Sequence, residues 1–170
     1  GARLNNYMIT IDLKAKPRVK RWLKENRISF PTLQKAANIF FNQIQRRSKT
    51  NRHYNLEIKT CPTASSGYYF GFDELHVTQK LDQNGWSSDK KFDTFAAHFL
   101  HEFRHWIQDN MLHVAEGRLN YTDQDCEKEN DTYYYNKWEV DARKFERKYK
   151  KDFIQLYYLL DDLSNKKLFY

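Results

Sequence analysis

"HFLHEFRHWIQD" (residues 98–109) decides how the rest of this chain is read. Within it His101, Glu102 and His105 stand in the order H-E-x-x-H. A helix turns about 100° per residue, so residues four apart lie roughly 40° apart round its axis and one turn along it. His101 and His105 therefore project from one face, close enough to share a metal ion. Glu102 lies about 100° round from His101, beside such an ion, where a carboxylate can take a proton from a water that the metal activates. On the same wheel Phe92, Phe95, Ala96, Phe99, Phe103, Trp106 and Ile107 fall roughly 120–240° from His101, which makes a buried back. The opposite side carries His98, His101, His105 and Gln108. The pattern predicts one long helix from about Asp93 through Met111, apolar behind and metal-ligating in front. With six His in 170 residues, an accidental H-E-x-x-H arises on the order of one time in a hundred.

Outward from that helix the chain reads as α+β. "NYMITIDL" (6–13) predicts a strand, and Pro17 suits the first turn of a helix with Val19, Trp22 and Leu23 on its apolar side. "SFPTLQKAANIFFNQIQRRS" predicts a second helix, with Leu33, Ala36, Ala37, Phe40 and Ile44 on one face. "NLEIKT" (55–60) is a strand, and "YYFGF" and "LHVTQKL" are two more or one bent one. Residues 114–131 carry few apolar groups and are expected to form an extended loop. Its alternating acids do not make a calcium loop of the EF type, because Lys128 stands where Gly is needed. The C-terminal part is strongly helical, with Trp138, Ala142, Phe145, Tyr149 and Phe153 as its buried stripe. At 170 residues the expectation is one domain over 1–170, its core at about 30–150.

Two histidines leave zinc short of a site, since a catalytic zinc usually has three protein ligands and an open position. A third His six residues after the second is ruled out, because Met111 and Gln108 occupy the positions that scheme needs as His and Gly. The remaining scheme takes a carboxylate from a later helix. "NKWEVDARKF" offers Glu139 at the edge of the buried stripe and Asp141 on its other flank; Asp141 is alternatively a partner for a ligand His or a surface acid paired with an Arg.

"HEFRHWIQ" followed by "NKWEVDARKF" resembles the gluzincin zinc metallopeptidases, in the style of the compact bacterial and phage-type ImmA/IrrE-like proteins. The upstream "GYYFGFDELHV" is similar to that family's sheet-edge strand before the site helix. The resemblance spans roughly residues 30–150 and departs from the family at Phe103 and Arg104, where a small residue is usual at the second. It implies a zincin-like fold: a small mixed sheet packed on the site helix and a C-terminal helix. It implies zinc on His101, His105 and Glu139, with Glu102 as general base, and an edge strand, Leu75, His76 and Val77, that binds an extended peptide by strand addition. Such enzymes often add a Tyr or His that steadies the oxyanion; Tyr135 is the candidate, with Tyr133, Tyr134, His98 and His113 as rivals.

Composition narrows the setting. No apolar run approaches the roughly 20 residues that span a bilayer, and no signal-peptide pattern opens the chain. The opening "GARLNN" lacks an initiating Met, which suggests a trimmed or processed chain or a piece of something longer. Cys61 and Cys126 have no C-x-x-C pairing, so a Cys-based zinc ribbon is excluded and a reducing, cytoplasmic home is expected, a virion being the other setting. The net charge is +7, with basic clusters at 14–27, 45–53 and 142–151. These are read first as solvated helix faces; the competing function is a zincin-scaffold module that binds nucleic acid or an acidic protein partner.

Overall fold

The computed structural model describes residues 8–45, 51–69, 71–82, 91–111 and 136–167. Four strands and four helices follow one another along these: β1 (Ile9–Lys14), α1 (Pro17–Glu25), α2 (Phe30–Ile44), β2 (Arg52–Cys61), β3 (Gly67–Tyr68), β4 (Glu74–Thr78), α3 (Lys91–Asn110) and α4 (Lys137–Lys167). The strands form one mixed sheet in the order β1-β2-β4-β3. β1, β2 and β4 run parallel and β3 runs antiparallel to β4.

Alternation along the strands makes the sheet one-sided. Ile9, Ile11 and Leu13 of β1, Leu56 and Ile58 of β2, and Leu75 and Val77 of β4 are buried on its inner face. On the other face Asp12 meets Lys14 and His53, and Glu74 meets Lys59 and His76. The inner face meets α2 and α3, and α4 packs across both helices in one continuous core. The rings of Phe95, Phe99, Phe103 and Trp106 stack successively along α3, with centroids 5.6–5.9 Å apart. That stack is the predicted apolar back of the site helix, and it fixes which way the histidines face.

Local chemistry explains where the helices begin and end. Pro17 opens α1, which closes in a Schellman motif: Ile28 N–H reaches Leu23 C=O (2.9 Å), Arg27 N–H reaches Lys24 C=O (3.0 Å), and Arg27 takes φ 60°. The Ser29 hydroxyl caps α2 by accepting from Thr32 N–H.

The outer edge of β1 is closed by side chains. Gln34, Asn38 and Asn42 recur every fourth residue along α2, and their amides bond the free backbone groups of β1. Asn38 accepts from Ile11 N–H (2.8 Å) and donates to Ile11 C=O (2.7 Å); Asn42 does the same to Ile9 (3.3 and 2.9 Å). Gln34 accepts from Leu13 N–H (2.5 Å) and donates to Ile11 C=O (2.7 Å). An edge strand covered in this way cannot template further pairing.

Candidate metal centre

α4 begins at the sequence N-x-x-E. Asn136 Oδ1 accepts from Trp138 N–H (2.9 Å), which makes Asn136 the N-cap and Glu139 the third helical residue. A carboxylate there often folds back on the cap and is favoured by the helix dipole. Glu139 instead turns toward α3. Its Oε2 lies 2.9 Å from His101 Nε2 and its Oε1 3.0 Å from His105 Nε2, while the two imidazole centroids are 5.0 Å apart. All three ligand atoms lie within 4.8 Å of one another. Tetrahedral zinc with bonds of about 2.0–2.1 Å needs its ligand atoms about 3.3 Å apart. The two observed N···O separations, each to a different Glu139 oxygen, fall a few tenths of an ångström short of that spacing.

The far sides of the rings also suit a metal. His101 Nδ1 faces Glu146 Oε2 at 3.4 Å, and His105 Nδ1 meets Gln108 Oε1 at 2.7 Å. The Gln108 amide has its orientation fixed, because its Nε2 donates to Asp141 Oδ2 (2.7 Å) and to Trp138 C=O (3.0 Å). Its oxygen must therefore face His105, so Nδ1 carries a proton and Nε2 is the ligating atom. Behind Gln108, Arg104 forks onto Asp141 with Nε at 2.7 Å and Nη2 at 3.3 Å, both side chains 0% exposed. The two residues at which the family resemblance departs thus have structural roles: Phe103 in the ring stack, and Arg104 as the anchor of this relay.

Electrostatics follow the same geometry. Burial pulls the His101 imidazole down, but Glu139 and Glu146 outweigh it and lift it to about 9. Burial works against an ionised Glu139, yet the His101 and His105 imidazoles beside it hold its carboxyl well below the usual range. Burial raises Glu102 to about 7, against the opposing pull of His101 and His105. Glu102 is 6% exposed and lines, with His98, His101 and Glu139, a cleft of about 470 Å³. A carboxyl titrating near neutrality beside a metal-ligand set is suited to take a proton and return it.

His101, Glu102, His105 and Glu139 thus come together as expected. Asp141 is fully buried, not a surface acid; it pairs with Arg104 and bonds Gln108, which in turn meets His105. Tyr135, with Tyr133, Tyr134, His113 and the 114–131 loop, lies outside the described residues. The expected edge strand is corrected. β4 pairs with β2 on one side and with β3 on the other, through Gly67↔His76 and Tyr68↔Leu75, so its backbone is not open to an added strand there. Leu75 and Val77 are buried in the core, and His76 turns to the outer face against Glu74 (3.1 Å) and Tyr69. The sheet side of the cleft wall is Ala64, Ser65 and Ser66, the segment that leads into β3.

Glu146 and Gln108 were not singled out as histidine partners from the sequence. Their signal is spacing: Glu146 lies two turns after Glu139 on one face, and Gln108 lies three residues after His105. Among the described residues no helix is long and apolar enough to cross a membrane. No family model matches the chain, and no curated protein or solved structure matches it either.

Proposed function

We propose that this chain is a zinc-dependent metallopeptidase of gluzincin type, which hydrolyses peptide bonds in a protein or peptide substrate. One observation carries the reading: two imidazole Nε2 atoms and the Glu139 carboxylate converge within bonding reach, with the buried Glu102 carboxyl on the same cleft. His101, His105 and Glu139 hold the ion, and two imidazoles with one carboxylate suit zinc. Zinc, when bound, supplies Lewis acidity to the scissile carbonyl and to the attacking water. Glu102 takes a proton from that water and passes it to the leaving amine nitrogen, which balances the hydrolysis. Glu146 and Gln108 hold the ligand rings in place.

Glu102→Gln keeps the size of the side chain and removes the base. Peptide cleavage by the zinc-loaded variant should fall about 10²–10⁴-fold with zinc binding retained. Undiminished cleavage would remove Glu102 from the mechanism.

A second reading has its own support. Lys16, Arg18 and Arg21 are exposed, have no ion-pair partner among the described residues, and line a groove at the carboxyl ends of the parallel strands. This basic groove favours a docking role for nucleic acid or an acidic protein partner. Steeply salt-dependent binding that survives removal of zinc would favour that role over catalysis.

A further inference from the structure

The stretch "KAKPRVKRWLKENR" (14–27) sets seven cations against one acid, Glu25. Leu23 is the buried residue of α1, so this helix lies on the surface with its charges outward. Lys16, its N-cap, lines the groove at the carboxyl ends of β1, β2 and β4, together with Arg18 and Arg21, which stand three residues apart on one helix face. All three are exposed and make no ion pair among the described residues. Lys59 lines the same groove but is held by Glu74 at 3.0 Å. The first turn of α1 has neither an acid nor a side-chain cap, and its positive end adds to the same field.

This groove and the metal cleft are neighbours. The segment between β2 and β3 walls both: Pro62 borders the groove, and Ala64, Ser65 and Ser66 border the cleft. Pro62 and Ala64 are two residues apart, which spans at most about 7 Å, so an extended ligand crosses from one space to the other within a few residues. Buried Thr78 anchors the segment: its Oγ1 donates to Thr63 C=O (2.5 Å) and its N–H to Ser66 Oγ (2.9 Å). On the helical side Trp22 of the groove packs against Phe95, the neighbour of Thr94 in the cleft wall.

We propose that the basic groove docks an acidic, extended segment of the peptide substrate whose scissile bond lies at the metal ligands. That the docked chain is a substrate rests on the metallopeptidase reading. Lys16, Arg18 and Arg21 select carboxylates by charge. Two observations favour a peptide over nucleic acid. Glu25 and Glu57 also line the groove. A phosphodiester chain carries charge at every residue and would run past both, whereas a peptide sets acids on the cations and neutral side chains on the carboxylates. Trp22, the aromatic residue of the groove wall, is half-buried against Phe95 with centroids 6.4 Å apart, which leaves no exposed ring in the groove for a base to stack on.

The test uses a fluorescein-labelled peptide in which Glu alternates with Ala and Leu, its Gln counterpart, and a single-stranded DNA oligonucleotide of the same charge. Fluorescence anisotropy with zinc-loaded protein should give the Glu peptide a Kd at least about tenfold below the Gln peptide, with the difference shrinking as salt rises. Arg18→Glu with Arg21→Glu should erase that difference, with circular dichroism and zinc stoichiometry unchanged. For cleavage, the Glu or Gln segment is joined to either end of a randomised stretch. The Glu-bearing substrate should show a lower KM at equal kcat, because docking away from the reacting bond binds substrate and transition state alike. The double variant should lose that gain. Equal binding of the Glu and Gln peptides would overturn the groove as an acidic-peptide site. DNA that binds more tightly than the Glu peptide, and is lost in the double variant, would overturn it in favour of a nucleic-acid groove. Equal KM for the two substrates would overturn the link to the cleft and leave the peptidase reading intact. If neither substrate is cut, the peptidase reading fails and binding decides: Glu-selective binding lost in the double variant upholds the acidic-peptide groove, and its absence overturns it.

Discussion

At the scale of single residues, the candidate site is a set of groups whose protons would compete with a bound metal. Both ring nitrogens of His101 face carboxylates, and its pKa of about 9 reflects them. Zinc must displace that proton, so affinity should rise about tenfold per pH unit up to about pH 9 and then level off. Isothermal titration in buffers of differing ionisation enthalpy would count the protons released; a pH-independent affinity would contradict the ligand role of His101. Stability of chelator-stripped protein follows with a definite sign. His101 is raised from 6.5, so its contribution is complete below 6.5 and lost as pH rises through 9. Glu102 is raised from 4.5 to about 7, so its protonated form also favours the fold and is lost across that window. The depressed Glu139 acts oppositely, its contribution present above 4.5 and lost in acid. The melting temperature of stripped protein should therefore decline from about pH 6 to pH 9, and saturating zinc should abolish the decline.

The buried relay behind His105 gives a second prediction at this scale. Asp141→Ala leaves the Arg104 guanidinium buried without its carboxylate and should cost about 3–5 kcal/mol. Arg104→Met with Asp141→Leu should recover most of that stability. Chemical denaturation measures both, and zinc affinity should stay lowered about 10–100-fold in the recovered double variant because Gln108 loses its anchor. The H-E-x-x-H pair was legible in the sequence because helical spacing places it, and Glu139 because a downstream carboxylate motif resembled the family's. The relay was not, since a buried Arg–Asp pair has the same letters as a solvated one.

At the scale of elements, helical periodicity was the most readable feature. Pro17 marked the start of α1, and the predicted faces of α2 and α3 are the buried ones. The sheet was harder to read, because pairing partners are not local. "YYFGF" and "LHVTQKL" were read as two strands or one, and β4 was taken for the edge that β3 in fact covers. The amide ladder on α2 was likewise hidden, since Gln34, Asn38 and Asn42 look like an ordinary polar face until β1 lies beside it. Asn38→Leu tests that ladder. It strands Ile11 N–H at a part-buried edge, so equilibrium unfolding should show a loss of about 1–3 kcal/mol. An unchanged stability would mean that water replaces the amide at no cost.

For the molecule as a whole, the sheet, the site helix and α4 are arranged so that one ion would tie α3 to α4, the two elements whose packing encloses the cleft. The sequence conveyed an α+β plan and the His101–His105 pair, because both rest on repeating local spacings. It did not convey that Ser66, from the segment before β3, meets His98 of α3 across the cleft. The central claim is that His101, His105 and Glu139 form one zinc site. Elemental analysis of the native protein beside His101→Ala and Glu139→Ala tests it most directly. The account predicts about one zinc per native chain and its loss in both variants, with folding retained by circular dichroism. Native protein that binds no zinc even when it is supplied, or a Glu139→Ala variant that keeps its full complement, would contradict it.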